Sequence, residues 1–142
     1  MGGNFSFDEQ GVFYQTATLY GYVKKGDVLV SYKVLMAVLK SRLCWWFMQN
    51  TGTVMSGGFY RYKPAYIKTF PMPSDMVLSK SSLEIENLVK AIEQEKENDT
   101  SALENQIDFL VYHLYGLTYD EVLIVDPETP ISREEYEAYK EE

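Results

Sequence analysis

The chain of 142 residues holds one histidine and one cysteine, and that scarcity excludes much of the chemistry that small enzymes use. Cys44 has no partner for an internal disulfide and no neighbour at metal-ligand spacing, so a reducing, cytoplasmic compartment suits it best. It also lacks a base to activate it. His113 stands among Tyr112, Leu114 and Tyr115 in a helical pattern, cannot complete a metal site alone, and reads as a structural residue. A Gly-x-Gly-x-x-Gly fingerprint and a phosphate-binding loop are both missing, as is a carboxylate pair with a following lysine. No catalytic residue, no metal and no cofactor of its own are therefore expected. No apolar run approaches the ~20 residues of a membrane span, and no basic-then-apolar leader opens the chain, so no membrane partner is expected. Met1 to Ser6 fits the loose myristoylation pattern, a match short enough to arise by chance.

What is present is charge of unlike sign in unlike places. The total is −8, yet residues 1–73 carry eight Lys and Arg against three Asp and Glu, and residues 74–142 carry five against eighteen. Such asymmetry points to a basic working part, 1–73, and an acidic helical scaffold, 74–142. With 46% apolar residues the two parts suffice for one domain with a real core.

The basic part turns on Ser56-Gly57-Gly58-Phe59-Tyr60-Arg61-Tyr62-Lys63 and its continuation to Pro73. Gly57-Gly58 suits a sharp turn or a close backbone approach. Beyond it, alternation on a strand puts Arg61 and Lys63 on one face, and Pro71 and Pro73 end the strand or confine it to an edge. Val12 to Tyr14, Thr16 to Val23 and Val28 to Val30 are rich in β-branched and aromatic residues and read as further short strands. Lys24-Lys25-Gly26-Asp27 is then a polar turn with its lysines exposed at the tip. Residues 31–49 read as one helix. Met36, Leu39, Leu43, Trp46 and Phe47 share one face, with Val34, Val38 and Trp45 nearly opposite, so both sides need cover. Trp45 is either a core residue or an interface anchor.

In the acidic part, four Ser/Thr-x-x-Glu pairs have the form of capping boxes: Ser81 to Glu84, Ser101 to Glu104, Thr118 to Glu121 and Ser132 to Glu135. Behind the first lies the stripe Ile85, Leu88, Val89, Ile92; behind the second, Leu103, Ile107, Leu110, Val111, Leu114. Gly116 is a natural C-terminal cap. The spacing predicts a helical hairpin over 81–116, two short helices parted by Pro127 and Pro130, and an acidic tail from Glu134 that frays. The expected fold class is α+β: a small, mostly antiparallel sheet from residues 1–73, helix 31–49 packed on it, and the hairpin and short helices beside them.

Ser56 to Lys63, followed by Tyr66-Ile67 and Pro71-Met72-Pro73, resembles the TaqI-like C-terminal specificity domain, the target-recognition module of restriction-modification DNA methyltransferases of the type IIG kind. Upstream, Val34 to Phe47 is similar to that family's leucine-rich helix ending in aromatics, with Lys40 where asparagine is usual. Downstream, Ile107 to Val122 resembles its closing segment, and the matching pieces span roughly residues 28 to 125. The resemblance implies a chain that binds double-stranded DNA and positions an adenine-specific methyltransferase or endonuclease. S-adenosylmethionine, and magnesium where a nuclease is present, belong to that parent enzyme; its glycine-rich cofactor loop and Asn-Pro-Pro-Tyr type motif are missing here. Read with the cationic ribbon and turn, it assigns DNA contact to Lys24, Lys25, Ser56, Gly57, Gly58, Arg61, Lys63 and Lys68. A motif shared by enzymes of different specificity holds phosphates or builds the fold, so base reading falls to the loops Phe5 to Thr16 and Gln49 to Met55. The other function class compatible with these residues is a protein-interaction module that docks to a methyltransferase or other subunit without reading bases.

Overall fold

The computed structural model describes Lys24, Gly26 and residues 29–51, 69–95 and 98–139, the side chains at 75–78 excepted. These residues form six helices: α1 Tyr32–Lys40, α2 Arg42–Thr51, α3 Asp75–Gln94, α4 Ser101–Leu114, α5 Tyr119–Val125 and α6 Arg133–Ala138. Among the described residues there is no strand, which corrects the expected α+β class to an all-helical arrangement. Residues 12–23 and most of the Ser56 to Pro73 ribbon lie outside the described residues. Where those expectations can be compared, they give way to irregular chain. Val30 is buried in a bend just before α1, and Thr69 to Pro73 form a turn and then an irregular segment. The apolar residues that suggested strands serve there as plugs: Phe70 is buried and sets its ring against Phe47, at 5.1 Å, and Tyr115, at 5.5 Å.

One helix was expected over residues 31–49, and two are found. Ser31 caps α1, its hydroxyl accepting from the Val34 N–H at 3.4 Å. After the nine residues of α1, Ser41 leaves helical geometry at φ −63°, ψ 158°. Its buried hydroxyl donates to the Val38 carbonyl at 2.6 Å and accepts from the Cys44 N–H at 3.3 Å. One side chain thus satisfies a group at each broken end, as a cap must. The break answers the two-sided apolarity: α1 lies chiefly on α3, whereas α2 turns to α4 and α5. Trp46 packs on the core, and Trp45 is half-buried.

Helices α3 and α4 form the hairpin and share the largest interface. The first begins at Asp75, directly after Pro73-Ser74, not at residue 81. Ser81 is therefore buried inside α3 and caps nothing. A Ser-x-x-Glu spacing also places two residues on one face of a helix interior, so the signature alone does not mark a start. At Ser101 the cap comes from Asp99, whose carboxylate accepts from the Ser101 N–H at 2.9 Å and from its hydroxyl. Thr118 and Glu121 make the full reciprocal box at the start of α5, and Ser132 accepts from Glu135 N–H at the start of α6.

The core runs through all six helices. Val34 and Val38 from α1, Cys44 and Met48 from α2, Ile85 from α3, Val111 and Tyr112 from α4 and Val122 from α5 are fully buried, with Tyr136 of α6 nearly so. Gly116 ends α4 with φ at 65°. Its N–H donates to His113 O at 2.9 Å and that of Leu117 to Tyr112 O at 3.0 Å, the paired bonds of a Schellman turn. Of the tail expected to fray from Glu134, the described part to Tyr139 is pinned, the Tyr136 hydroxyl donating to Leu117 O at 2.6 Å, and just before it the Tyr119 hydroxyl donates to Ile131 O at 2.7 Å; residues 140–142 lie outside the described residues. His113 lies within this clamp, its ring stacked on Tyr136 at 4.1 Å with Phe109 edge-on at 4.7 Å. Among the described residues no helix is long and apolar enough to cross a membrane.

Candidate nucleic-acid interface

An open cavity of about 320 Å³ lies at the amino end of α1, lined by Lys24, Ser31, Tyr32, Lys33, Glu86 and Lys90. Local geometry places each group. The cap at Ser31 starts α1 at this point, so the positive end of the helix dipole faces the cavity. Lys24 does not project from a loop tip as expected. It is half-buried, its ammonium donating to Val30 O at 2.8 Å and lying 5.0 Å from the centre of the Tyr32 ring. Its backbone N–H donates to the Tyr32 hydroxyl at 3.0 Å. Lys33 reaches across to α3 and pairs with Glu93 at 2.6 Å. Packing of α1 on α3 brings in Glu86 and Lys90 from the acidic half, which composition alone set aside as scaffold. Three lysines thus line one cavity together with Glu86, and two of their ammonium groups are engaged, that of Lys24 by Val30 O and that of Lys33 by Glu93.

A second polar group lies where α2, α4 and α5 meet. The Arg42 N–H, at the start of α2, donates to Asp108 Oδ1 at 2.9 Å. The guanidinium Nε of Arg42 stands 3.7 Å from Asp108 and 3.5 Å from Asp126. The carboxylates are 10% and 7% exposed, while the arginine is 43% exposed. Burial pushes the Asp108 carboxyl up to about 6, against the opposing pull of the Arg42 N–H and charge and with the nearby Asp126 adding to the rise. Tyr112 is fully buried beside them, with no hydrogen-bond partner for its hydroxyl among the described residues. Burial, then the charges of Asp108 and Asp126, push that phenol up. One partly solvated cation serving two buried carboxylates joins three helices; it is a structural clasp. The thiol of Cys44, buried and pushed up to about 12 by desolvation, is no nucleophile at neutral pH.

Of the residues assigned to DNA contact, Lys24 lies at the cavity. Lys25, Ser56, Gly57, Gly58, Arg61, Lys63 and Lys68 lie outside the described residues, as do the loop Phe5 to Thr16 and most of Gln49 to Met55. Lys33, Glu86 and Lys90 were missed by sequence reasoning. They carry no motif and meet only through helix packing. Asp108 was missed too, although a signal existed: a lone carboxylate between Ile107 and Phe109, three and four residues before the buried Val111 and Tyr112, lies on a face that must be buried. Among the described residues no group of three His, Cys, Asp or Glu side chains could hold a metal ion. Comparison with family models, with curated proteins and with solved structures gives no match.

Proposed function

We propose that this chain is a specificity module that contacts double-stranded DNA and positions a restriction-modification methyltransferase or endonuclease on it. The observation that carries this reading is the gathering of Lys24, Lys33 and Lys90 at the positive end of α1. A concavity lined by three lysines against one glutamate, on a chain of net charge −8, suits an anion, and the phosphates of DNA are the anions that the resemblance of Ser56 to Pro73 suggests. Ammonium groups neutralise phosphates and release counterions, which orients a protein on the duplex without reading its sequence. Adenine methylation, S-adenosylmethionine and any magnesium belong in this proposal to the parent enzyme, in a cytoplasmic setting suited to the single thiol.

A second reading rests on different residues. Leu83 on α3 and Ile124 on α5 are 71% and 63% exposed, and such side chains suit docking against a protein surface, the methyltransferase core among them.

The test is binding of labelled duplex DNA by the full chain, followed by fluorescence anisotropy over a potassium chloride series. Expected is a weak dissociation constant, about 10⁻⁴ to 10⁻⁶ M, with log K falling linearly against log salt at about 0.9 per phosphate neutralised. Absence of salt-dependent DNA binding, together with tight association with a methyltransferase core, refutes the first reading in favour of the second.

A further inference from the structure

We infer that the cavity at the start of α1 is a subsite for a single backbone phosphate, in which Lys90 supplies the available cation and Glu86 opposes it. The inference rests on the DNA reading above and deepens it, because it moves a contact into the half of the chain that composition marks as repelling DNA. Three observations carry it. First, the other two ammonium groups are committed: Lys24 donates to Val30 O at 2.8 Å and lies over Tyr32, and Lys33 pairs with Glu93 at 2.6 Å. Lys90, exposed on α3, has no hydrogen-bond or ion-pair partner among the described residues. Second, the cavity, at about 320 Å³, is at the lower bound of ligand sites, roughly 300 to 1,000 Å³, a size for one phosphate and its neighbouring sugar rather than for a stretch of strand. Third, the lining contains an anion. Glu86 shares the cavity, so phosphate entry meets like-charge repulsion, which weakens the site and, because salt screens that repulsion too, flattens its salt dependence.

The opposing charges make the inference sharp, because they predict effects of opposite sign from two positions four residues apart on one helix. Duplex binding is measured for the full chain and for Lys90→Gln, Glu86→Gln and Lys40→Gln, each checked for folding by circular dichroism. Lys40→Gln removes the same charge at the exposed far end of α1, about 13 Å from Ser31. Lys33 is left intact because its loss also breaks the tie to Glu93. Expected are a loss of about two- to fivefold in affinity for Lys90→Gln, a salt slope lower by about one, tighter binding for Glu86→Gln, and less than about a twofold change for Lys40→Gln. If Lys90→Gln and Lys40→Gln act alike, or Glu86→Gln fails to tighten binding, the subsite is overturned while the DNA reading stands. If the unaltered chain shows no salt-dependent DNA binding, the DNA reading falls, and titration with pyrophosphate decides the cavity. Amide resonance shifts confined to Ser31, Tyr32 and Lys90 then support a phosphate site, and their absence overturns it.

Discussion

Replacing Asp108 by asparagine sets two effects against each other at one buried position. The side chain keeps an oxygen to accept the Arg42 N–H, held at 2.9 Å, but loses its charge. The carboxyl is pushed from its ordinary 3.8 to about 6, chiefly by burial, so folding penalises the ionised form more than the neutral one by about 3 kcal/mol. The attraction of Arg42 acts the other way but loses: its Nε stands 3.7 Å away, it is 43% exposed, and Asp126 shares it at 3.5 Å. The sign follows from proton binding. Between pH 3.8 and about 6 the folded chain holds more protons at this site than the unfolded chain. The stability it contributes is present below the lower value and lost as pH rises through the higher one. The introduced amide would mimic the neutral acid at the cost of burying an extra N–H donor, about 1 to 2 kcal/mol. Asp108→Asn is therefore expected to be more stable than the unaltered chain by about 1 to 2 kcal/mol at neutral pH, and to lose that advantage on acidification. Urea unfolding at a series of pH values, followed by the fluorescence of Trp45 and Trp46 on the adjoining α2, measures the difference, and other carboxylates cancel in it. A variant less stable at neutral pH than under acid, each relative to the unaltered chain, would show that the attraction of Arg42 outweighs burial.

Two further outcomes follow from the same structure. Cys44 is fully buried with its thiol pushed up to about 12, so alkylation by iodoacetamide should proceed only through opening or unfolding of the chain; mass spectrometry showing prompt modification of the folded chain at neutral pH refutes this. Thr118→Ala removes one half of the reciprocal box with Glu121, and a loss of about 1 kcal/mol in chemical unfolding is expected, with Thr118→Ser restoring most of it.

The acidic half was legible because its signals are local. Ile85, Val89, Ile107, Leu110 and Val111 fall at helical spacing and are buried, and Gly116 stands where its positive φ is needed to close α4. The failures come from signals with two physical meanings. Ser41, between Lys40 and Arg42, reads as part of a polar turn on a continuous helix, and only the packing of α1 and α2 on different partners shows that its hydroxyl ends one helix and begins the next. Val30 and Phe70 have strand propensity, yet burial against helices satisfies them equally well. Of the candidate site, Lys24 was within reach of sequence. Lys33, Glu86 and Lys90 were not, because α1 and α3 lie about fifty residues apart in the chain and no periodicity within either helix encodes their meeting.

The interruption at Ser41 also works as a joint in a lever. Beyond it α1 runs nine residues, an arm of about 13 Å, and the cavity lies at its far end. Any change in the angle at Ser41 is magnified there: each 10° of straightening would carry Tyr32 and Lys33 sideways by about 2 Å, nearly the length of a hydrogen bond. The position of Lys33 against Lys90 on α3 is thus set in part at a serine that touches neither, and on the other side of the joint the arm is anchored by the clasp of Arg42 with Asp108 and Asp126.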